Sequence, residues 1–159
     1  MIEVRNLTKK YGNTKVVDNV SLNIEKGKMI SLIGPNGAGK STVLSMITRL
    51  MDMDEGQVII DDVELSKWDN RELSKRISIL KQANDVNLRL TIRELVEFGR
   101  FPHSQGNITE VDNEFIDKAI KYMQLEDIEH RYLDELSGGQ KQRAYIAMVI
   151  AQDTEYIFL

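Results

Sequence analysis

The chain has 159 residues, of which 42% are hydrophobic and 29% are charged, and these values are typical of one globular domain. Its formal net charge of −4 gives no general electrostatic basis for binding nucleic acid, so we expect no nucleic-acid partner. The absence of cysteine excludes disulfides and thiolate metal sites from this chain.

The first third of the chain has the patterns of β-strands. Alternating apolar residues predict strands over 2–7 and 16–24, with a turn at 11–13 between them. The continuous apolar run at 29–34 predicts a further strand that is buried on both faces.

The next part of the chain combines a helix with more strands. Apolar residues recur at helical spacing over 40–51, which predicts an amphipathic helix. The sequence GQVIIDDVEL at 56–65 predicts a β-hairpin, and RISILKQ at 76–82 predicts another buried strand.

From about residue 84 the pattern becomes helical. Thr91–Glu94 is a capping-box sequence ahead of an apolar run, and Thr109–Asp112 precedes a second run with helical spacing. A last helix is predicted from about 138 to 152 and is apolar nearly all round, so we expect it to be buried. A strand is predicted at 155–159, where the printed chain stops.

The glycine-rich stretch at 34–41 fits the pattern G-x-x-x-x-G-K-[ST] between a predicted strand and a predicted helix. Its glycines allow backbone N–H groups to wrap a phosphate, and the following helix adds its N-terminal dipole. Lys40 would reach the β- and γ-phosphates, and the Ser41 hydroxyl would ligate Mg²⁺. An ordinary glycine-rich turn is the alternative, but this context favours a bound nucleotide. The predicted nucleotide-binding residues here are Gly34, Pro35, Asn36, Gly37, Ala38, Gly39, Lys40, Ser41 and Thr42.

A second candidate site is the sequence LSGGQ at 136–140, ahead of the apolar helix. Ser137 and Gln140 have the spacing of a capping box, which explains these two residues without any ligand. That explanation does not cover Gly138 and Gly139, because glycine weakens the first turn of a helix. Two glycines suit a helix start that the phosphate of a ligand must approach closely.

The loop at 34–41 and the sequence LSGGQ resemble the Walker A and signature motifs of the ATP-binding-cassette (ABC) ATPases. The resemblance covers the whole chain in order and spacing. It implies an α/β fold, in which a P-loop core carries an N-terminal antiparallel β subdomain and a helical subdomain. It further implies division into a β subdomain with P-loop core (1–83), a helical subdomain (84–136) and a signature helix with the following strand (137–159).

The same resemblance assigns roles to residues that local patterns leave open. Tyr11 matches the aromatic residue that stacks on adenine, although a tyrosine at a strand end also serves in packing. Gln82 matches the glutamine that reaches Mg²⁺ and the attacking water. The resemblance therefore implies Lys40 and Gln82 as catalytic residues, and Ser41 and Gln82 as ligands of Mg²⁺.

The family pattern continues beyond the last predicted strand. In ABC ATPases such a strand precedes the Walker B aspartate and the catalytic glutamate, and a switch histidine follows later. None of these occurs before Leu159, so we expect this sequence to cover about the first two-thirds of an ABC ATPase. We also expect hydrolysis by these residues alone to stay at background, because the attacking water must be oriented as well as the charge neutralised.

The segment 90–105 resembles ATPases of iron–siderophore, haem and cobalamin importers, and the stretches 78–92 and 132–159 resemble those of catecholate siderophore importers most closely. This resemblance implies a homodimer that sandwiches two ATP molecules, membrane permease subunits as partners, and a peripheral position on the cytoplasmic face of the cell membrane. No stretch approaches about 18 apolar residues, so any membrane contact would need such a partner. His103 is expected at the surface rather than at a metal. A soluble ABC ATPase of translation or DNA repair and an inactive nucleotide-binding fragment remain the alternatives.

Overall fold

The structure is a computed structural model that describes residues 1–80 and 89–159. The chain divides into two compact units, an N-terminal unit (Met1–Asp69) and a C-terminal unit (Asn70–Leu159). Within the described residues, no helix combines the length and apolar character that a membrane crossing requires.

The N-terminal unit is built on a four-stranded antiparallel sheet with the strand order β2-β1-β3-β4. This arrangement confirms the predicted N-terminal strands and the hairpin at 56–65. The hairpin turn at Asp61 and Asp62 has φ angles of 47° and 65°, the left-handed pair that matches the twist of a two-residue hairpin. The four strands are β1 (Ile2–Tyr11), β2 (Thr14–Ile24), β3 (Glu55–Ile60) and β4 (Val63–Glu64).

Helix α1 (Lys40–Ile47) contacts β1 and β2 and contributes the helical side of this unit's core. Its apolar face and the alternate residues of the strands are removed from water, which is the main source of stability for such a layer. The core side chains that are at most 1% exposed are Ile2, Val4, Leu7, Met46, Ile47, Val58 and Ile60.

The helix is shorter than the sequence predicts, since it ends at Ile47 instead of residue 51. Arg49 adopts a φ of 61°, a left-handed conformation that cannot continue a right-handed helix. Leu50, which the periodicity places on the buried face, is therefore 49% exposed.

The predicted buried strand at 29–34 is wrong in this structure. Residues 28–35 have no regular secondary structure, and Met29 and Ile33 are 98% and 93% exposed. A strand needs a neighbour for its ladder of hydrogen bonds, and none of the strands among residues 1–80 and 89–159 pairs with this run. Apolar character alone did not supply that neighbour.

The C-terminal unit combines a two-stranded parallel sheet with helices. Strand β5 (Ile77–Ile79) pairs with β6 (Tyr156–Phe158), which confirms both predicted strands. The predicted capping boxes at 91–94 and 137–140 are present, and a third caps the helix after Thr109. The helices are α2 (Asn70–Ser74), α3 (Ile92–Phe98), α4 (Phe101–Ser104), α5 (Glu110–Tyr122) and α6 (Gly138–Ala151).

The core of this unit lies where α6 packs against α3 and α5. Helix α6 has buried residues at consecutive positions, including Ala144 and Tyr145, as its nearly all-apolar sequence predicts. At the end of α3, a Cβ atom on Gly99 would lie 2.1 Å from the backbone oxygen of Met148. Only glycine allows this close approach, which fixes the spacing between the two helices.

The architecture agrees with the predicted fold class, an α/β P-loop protein with an N-terminal antiparallel β subdomain and a helical subdomain.

Candidate nucleotide-binding site

The loop at 34–39 has the backbone that its glycines predict. Gly37 and Gly39 adopt φ angles of 81° and 82°, and Gly39 is the N-cap of α1. A Cβ atom on Gly39 would lie 2.6 Å from the carbonyl oxygen of Val16, so close approach as well as conformation requires glycine here. The loop therefore lies directly against β2.

Lys40 gives this loop its positive charge. Its Nζ donates hydrogen bonds of 2.8 Å to the carbonyl oxygens of Gly34 and of Pro35, at the other end of the loop. The first turn of α1 has no acidic residue and no side-chain cap, so its dipole and N–H donors are left to a ligand. Glycine backbone, helix start and ammonium together suit a bound phosphate group.

Ser41 and Thr42 follow in the first turn of α1, where Ser41 is exposed and Thr42 is half-buried. Tyr11 belongs to the same unit, at the end of β1, and is 53% exposed. Its hydroxyl donates to the Sδ of Met51 at 3.3 Å. Gln82, the predicted ligand of Mg²⁺ and water, lies outside the described residues.

The sequence LSGGQ forms the start of α6 in the C-terminal unit. The Ser137 Oγ accepts from the N–H of Gln140 at 3.3 Å, and the Gln140 Oε1 accepts from the N–H of Ser137 at 3.0 Å. Cβ atoms on Gly138 and Gly139 would meet no other atom within 4 Å, so packing does not require glycine at either position. This leaves close approach of a ligand as a reason for the two glycines.

The segment just before LSGGQ is tied to the start of α3. The N–H of Leu133 donates to the carbonyl of Leu90 at 2.9 Å, and the N–H of Ile92 donates to the carbonyl of Arg131 at 3.1 Å. The guanidinium of Arg89 lies 4.2 Å from the ring centroid of Tyr132, which is a cation–π geometry. These contacts fix the segment 131–133, which precedes the signature helix α6.

A buried ion pair holds the other end of α6. The Arg100 Nε donates to the Asp112 Oδ1 at 2.9 Å, and the Arg100 Nη1 donates to the carbonyl of Ala151 at 2.8 Å. Both charged residues are only 4% exposed. Burial acts to raise the pKa of Asp112, but hydrogen bonds from Thr109 and Arg100 outweigh it and hold this pKa below its ordinary value.

The structure gives His103 a partner that its sequence context did not suggest. Its Nε2 lies 3.0 Å from the carbonyl oxygen of Gln152, and because a carbonyl only accepts, this nitrogen carries the hydrogen. Pro102 lies in the first turn of α4, where its missing N–H is tolerated.

Sequence reasoning missed Met51 beside Tyr11, the Arg89–Tyr132 contact and the Arg100–Asp112 pair. A charged residue in the apolar context of the sequence FGRFP at 98–102 was the one signal for Arg100.

The N-terminal unit also contains a cavity of about 370 Å³ between the end of α1 and the β3–β4 hairpin. Met46, Met51 and Met53 line it, and none of the predicted nucleotide-binding residues does. The cavity shares Met51 with the Tyr11–Met51 contact and has no residue of the glycine-rich loop in its lining.

Comparison with known families gives a match to the family described as ABC transporter over residues 17–159. The chain belongs to the ABC transporter family. The matched range contains both the loop at 34–41 and the sequence LSGGQ at 136–140.

Among curated relatives, the petrobactin import ATP-binding protein YclP of Bacillus subtilis is 60% identical over all 159 residues. The petrobactin import ATP-binding protein FatE of Bacillus anthracis is 50% identical over the same length. This chain spans 63% and 64% of the lengths of these two relatives, in agreement with the expectation that it covers about two-thirds of an ABC ATPase.

Among solved structures, the dimeric bacterial ABC transporter cassette MJ0796 is similar with a TM-score of 0.83 and 33% identity. The match covers 99% of this chain and 72% of that cassette.

Proposed function

We propose that this chain is the nucleotide-binding part of an ATP-driven importer for iron–siderophore complexes, with petrobactin as the first candidate. The observation that carries the ATP part is the P-loop, where two left-handed glycines, a helix start without acidic residues and Lys40 converge. The 60% identity to a petrobactin import ATP-binding protein over the whole chain supports the substrate class.

The residues of the chain divide the binding of Mg-ATP between them. Backbone N–H groups at 34–42 and the Lys40 ammonium would hold the phosphates, and the Ser41 hydroxyl and Gln82 would ligate Mg²⁺. The Tyr11 ring would stack on adenine. Bound ATP supplies the phosphoanhydride whose hydrolysis drives transport, and Lys40 and Gln82 would contribute to that hydrolysis by neutralising charge and orienting water. The three-part division at 83/84 and 136/137 remains part of this proposal.

We propose that the N-terminus of α6, with the sequence LSGGQ, binds the phosphates of ATP held by the other subunit of a homodimer. One triphosphate does not need both the P-loop and the start of α6, and a similar cassette was solved as a dimer. In the complete protein, Ser137→Arg should abolish ATP-dependent dimerisation in sedimentation while leaving ATP binding by the monomer intact. Ser137→Ala is the matched control without added bulk. A normal ATP-bound dimer of Ser137→Arg would contradict the proposal.

Permease subunits in the cell membrane are the proposed partners, which would place the protein on the cytoplasmic face of that membrane. An import experiment tests this and the substrate together. The complete gene should restore uptake of radio-iron-labelled petrobactin to a Bacillus subtilis strain that lacks YclP, and the same gene with Lys40→Ala should not. Restored uptake of a hydroxamate siderophore in a strain lacking its own import ATPase, without petrobactin uptake, would reassign the substrate.

A further inference from the structure

Tyr11 is held from the segment that follows the P-loop helix. Its hydroxyl donates to the Met51 Sδ at 3.3 Å, although the ring itself is half exposed. The N–H of Met51 donates to the carbonyl of Ser45 in α1 at 3.1 Å. The thioether that receives the tyrosine hydroxyl is therefore anchored on the same helix that begins at Lys40.

Asp54 ties the same segment to the end of β1. Its Oδ2 accepts from the N–H of Lys10 at 2.7 Å, its Oδ1 accepts from the Lys9 Nζ at 3.1 Å, and its own N–H donates to the carbonyl of Thr8 at 3.0 Å. The hydrogen bond from Lys10, and then that from Lys9, hold the pKa of Asp54 below its ordinary value. The carboxylate is thus charged at neutral pH, and it links the segment 51–54 to the end of β1 through these hydrogen bonds.

Lys9 also lies near Tyr11, with its Nζ 5.9 Å from the ring centroid, within the range of a cation–π contact. The tyrosine hydroxyl is therefore bonded to a thioether, and the ring lies near an ammonium that is hydrogen-bonded to Asp54. An exposed tyrosine without such contacts samples several rotamers, and fixing one of them is a cost that binding would otherwise have to meet.

We propose that Met51 is a positioning residue that presets the Tyr11 ring for stacking on the base of a bound nucleotide, and that Asp54 supports it through Lys9. The inference rests on the proposed binding of ATP. One continuous segment, from Lys40 to Asp54, then serves both ends of the nucleotide: its start faces the phosphates, and its end orients the residue that meets the base.

The test compares a ligand that has a base with one that has none. Calorimetry on the complete protein would measure the affinity for Mg-ATP and for magnesium tripolyphosphate. Met51→Leu keeps nearly the same volume but removes the sulfur acceptor. We expect about two- to fivefold weaker ATP binding and unchanged tripolyphosphate binding, since one weak hydrogen bond is lost. Met53→Leu, a methionine that lines the same cavity, is the matched control and should change neither affinity.

A double-mutant cycle separates positioning from general damage to the unit. Tyr11→Phe removes the donor of the same hydrogen bond, so Tyr11→Phe, Met51→Leu and the double variant should weaken ATP binding by the same factor. Additive losses, unchanged ATP binding in Met51→Leu, or equal losses for ATP and tripolyphosphate would each overturn the inference. If the unmodified chain binds tripolyphosphate but shows no preference for ATP, base stacking fails and the inference fails with it. If it binds neither ligand, the proposed nucleotide site itself fails.

Discussion

The N-termini of α1 and α6, the two proposed phosphate-binding helix ends of this protein, are capped differently. Helix α1 begins at Gly39 with no side-chain cap, whereas α6 begins at Ser137 with a reciprocal pair of hydrogen bonds to Gln140. The N–H groups at a helix start must find partners, and a capping box satisfies two of them within the chain. The start of α6 is thus stabilised within the chain, while the start of α1 has no side-chain cap and its Lys40 ammonium is hydrogen-bonded to carbonyls of the loop itself.

The helices behind these starts also differ. Helix α1 has 8 residues and is followed by the left-handed Arg49, while α6 has 14 residues and ends against the buried Arg100–Asp112 pair. The N-terminal site should therefore respond to mutation mainly through nucleotide affinity, and the C-terminal site mainly through stability.

Removal of the buried arginine should give the largest effect. Arg100→Leu leaves the buried carboxylate of Asp112 without its charged partner and should lower the free energy of unfolding of the C-terminal unit by about 3–5 kcal/mol. Urea unfolding followed by far-UV circular dichroism measures this loss. Fluorescence of Trp68, the one tryptophan of the chain, reports on the N-terminal unit separately. Arg131→Leu, at an exposed arginine of the same unit, is the control and should cost less than 1 kcal/mol.

Acid titration of a variant at Asp112 tests the same ion pair from its other side. The pKa of Asp112 is lowered in the folded state, so its stabilising contribution is fully present above the unfolded pKa of about 3.9. It is lost as the pH falls through the lower folded pKa. Asp112→Asn should be less stable than the unmodified protein at pH 7 and should lose less further stability on acidification below about pH 4. Parallel pH profiles for the two proteins would contradict this.

Loss of the P-loop ammonium should come next. Lys40→Ala should weaken the binding of Mg-ATP by about 1.5–3 kcal/mol, or about 10- to 150-fold in Kd, because it removes a charged hydrogen-bond donor. Isothermal titration calorimetry measures the change, and the stability of the N-terminal unit should hardly move. Lys67→Ala, at a lysine of the same unit that is 73% exposed, should leave the affinity unchanged. Equal affinities for Lys40→Ala and the unmodified protein would refute the P-loop assignment.

The sequence predicted best those features that depend on residues close together in the chain. The capping box at Thr91 and the reciprocal Ser137–Gln140 pair were correct because both partners lie three residues apart. The run at 29–34 was wrong because strand formation depends on a distant neighbour. The Tyr11–Met51 bond joins residues 40 apart, and a pattern of one segment cannot show which distant side chains meet. The sequence predicted that the loop glycines allow the backbone to wrap a phosphate, but it could not show that Gly39 lies against Val16 of β2, because that contact joins two distant segments.

Removal of the cap at the signature helix should have a smaller effect. Ser137→Ala should lower the stability of the C-terminal unit by about 1 kcal/mol, the usual cost of losing a side-chain N-cap. Thr91→Ala removes the equivalent cap of α3 and is the matched comparison, expected to cost a similar amount in the same urea titration. A loss confined to Thr91→Ala would mean that the start of α6 is not held by its capping box, and the contrast with α1 would disappear.

The smallest expected effect concerns the exposed contact between Arg89 and Tyr132, which lies shortly before LSGGQ in the sequence. Arg89→Gln removes the cation over the Tyr132 ring and should cost about 0.5–1 kcal/mol, the range for exposed cation–π pairs. Tyr132→Leu should cost more, because it also removes packing, but Arg89→Gln should add nothing further in that background. Hydrogen exchange at 133–141 gives a local readout, since the backbone hydrogen bonds between 90–93 and 129–133 immediately precede the signature sequence. Faster exchange there in Arg89→Gln, with unchanged exchange in the control Arg131→Gln, would show that this contact steadies the start of α6; equal exchange in both variants would leave the capping box as its main support.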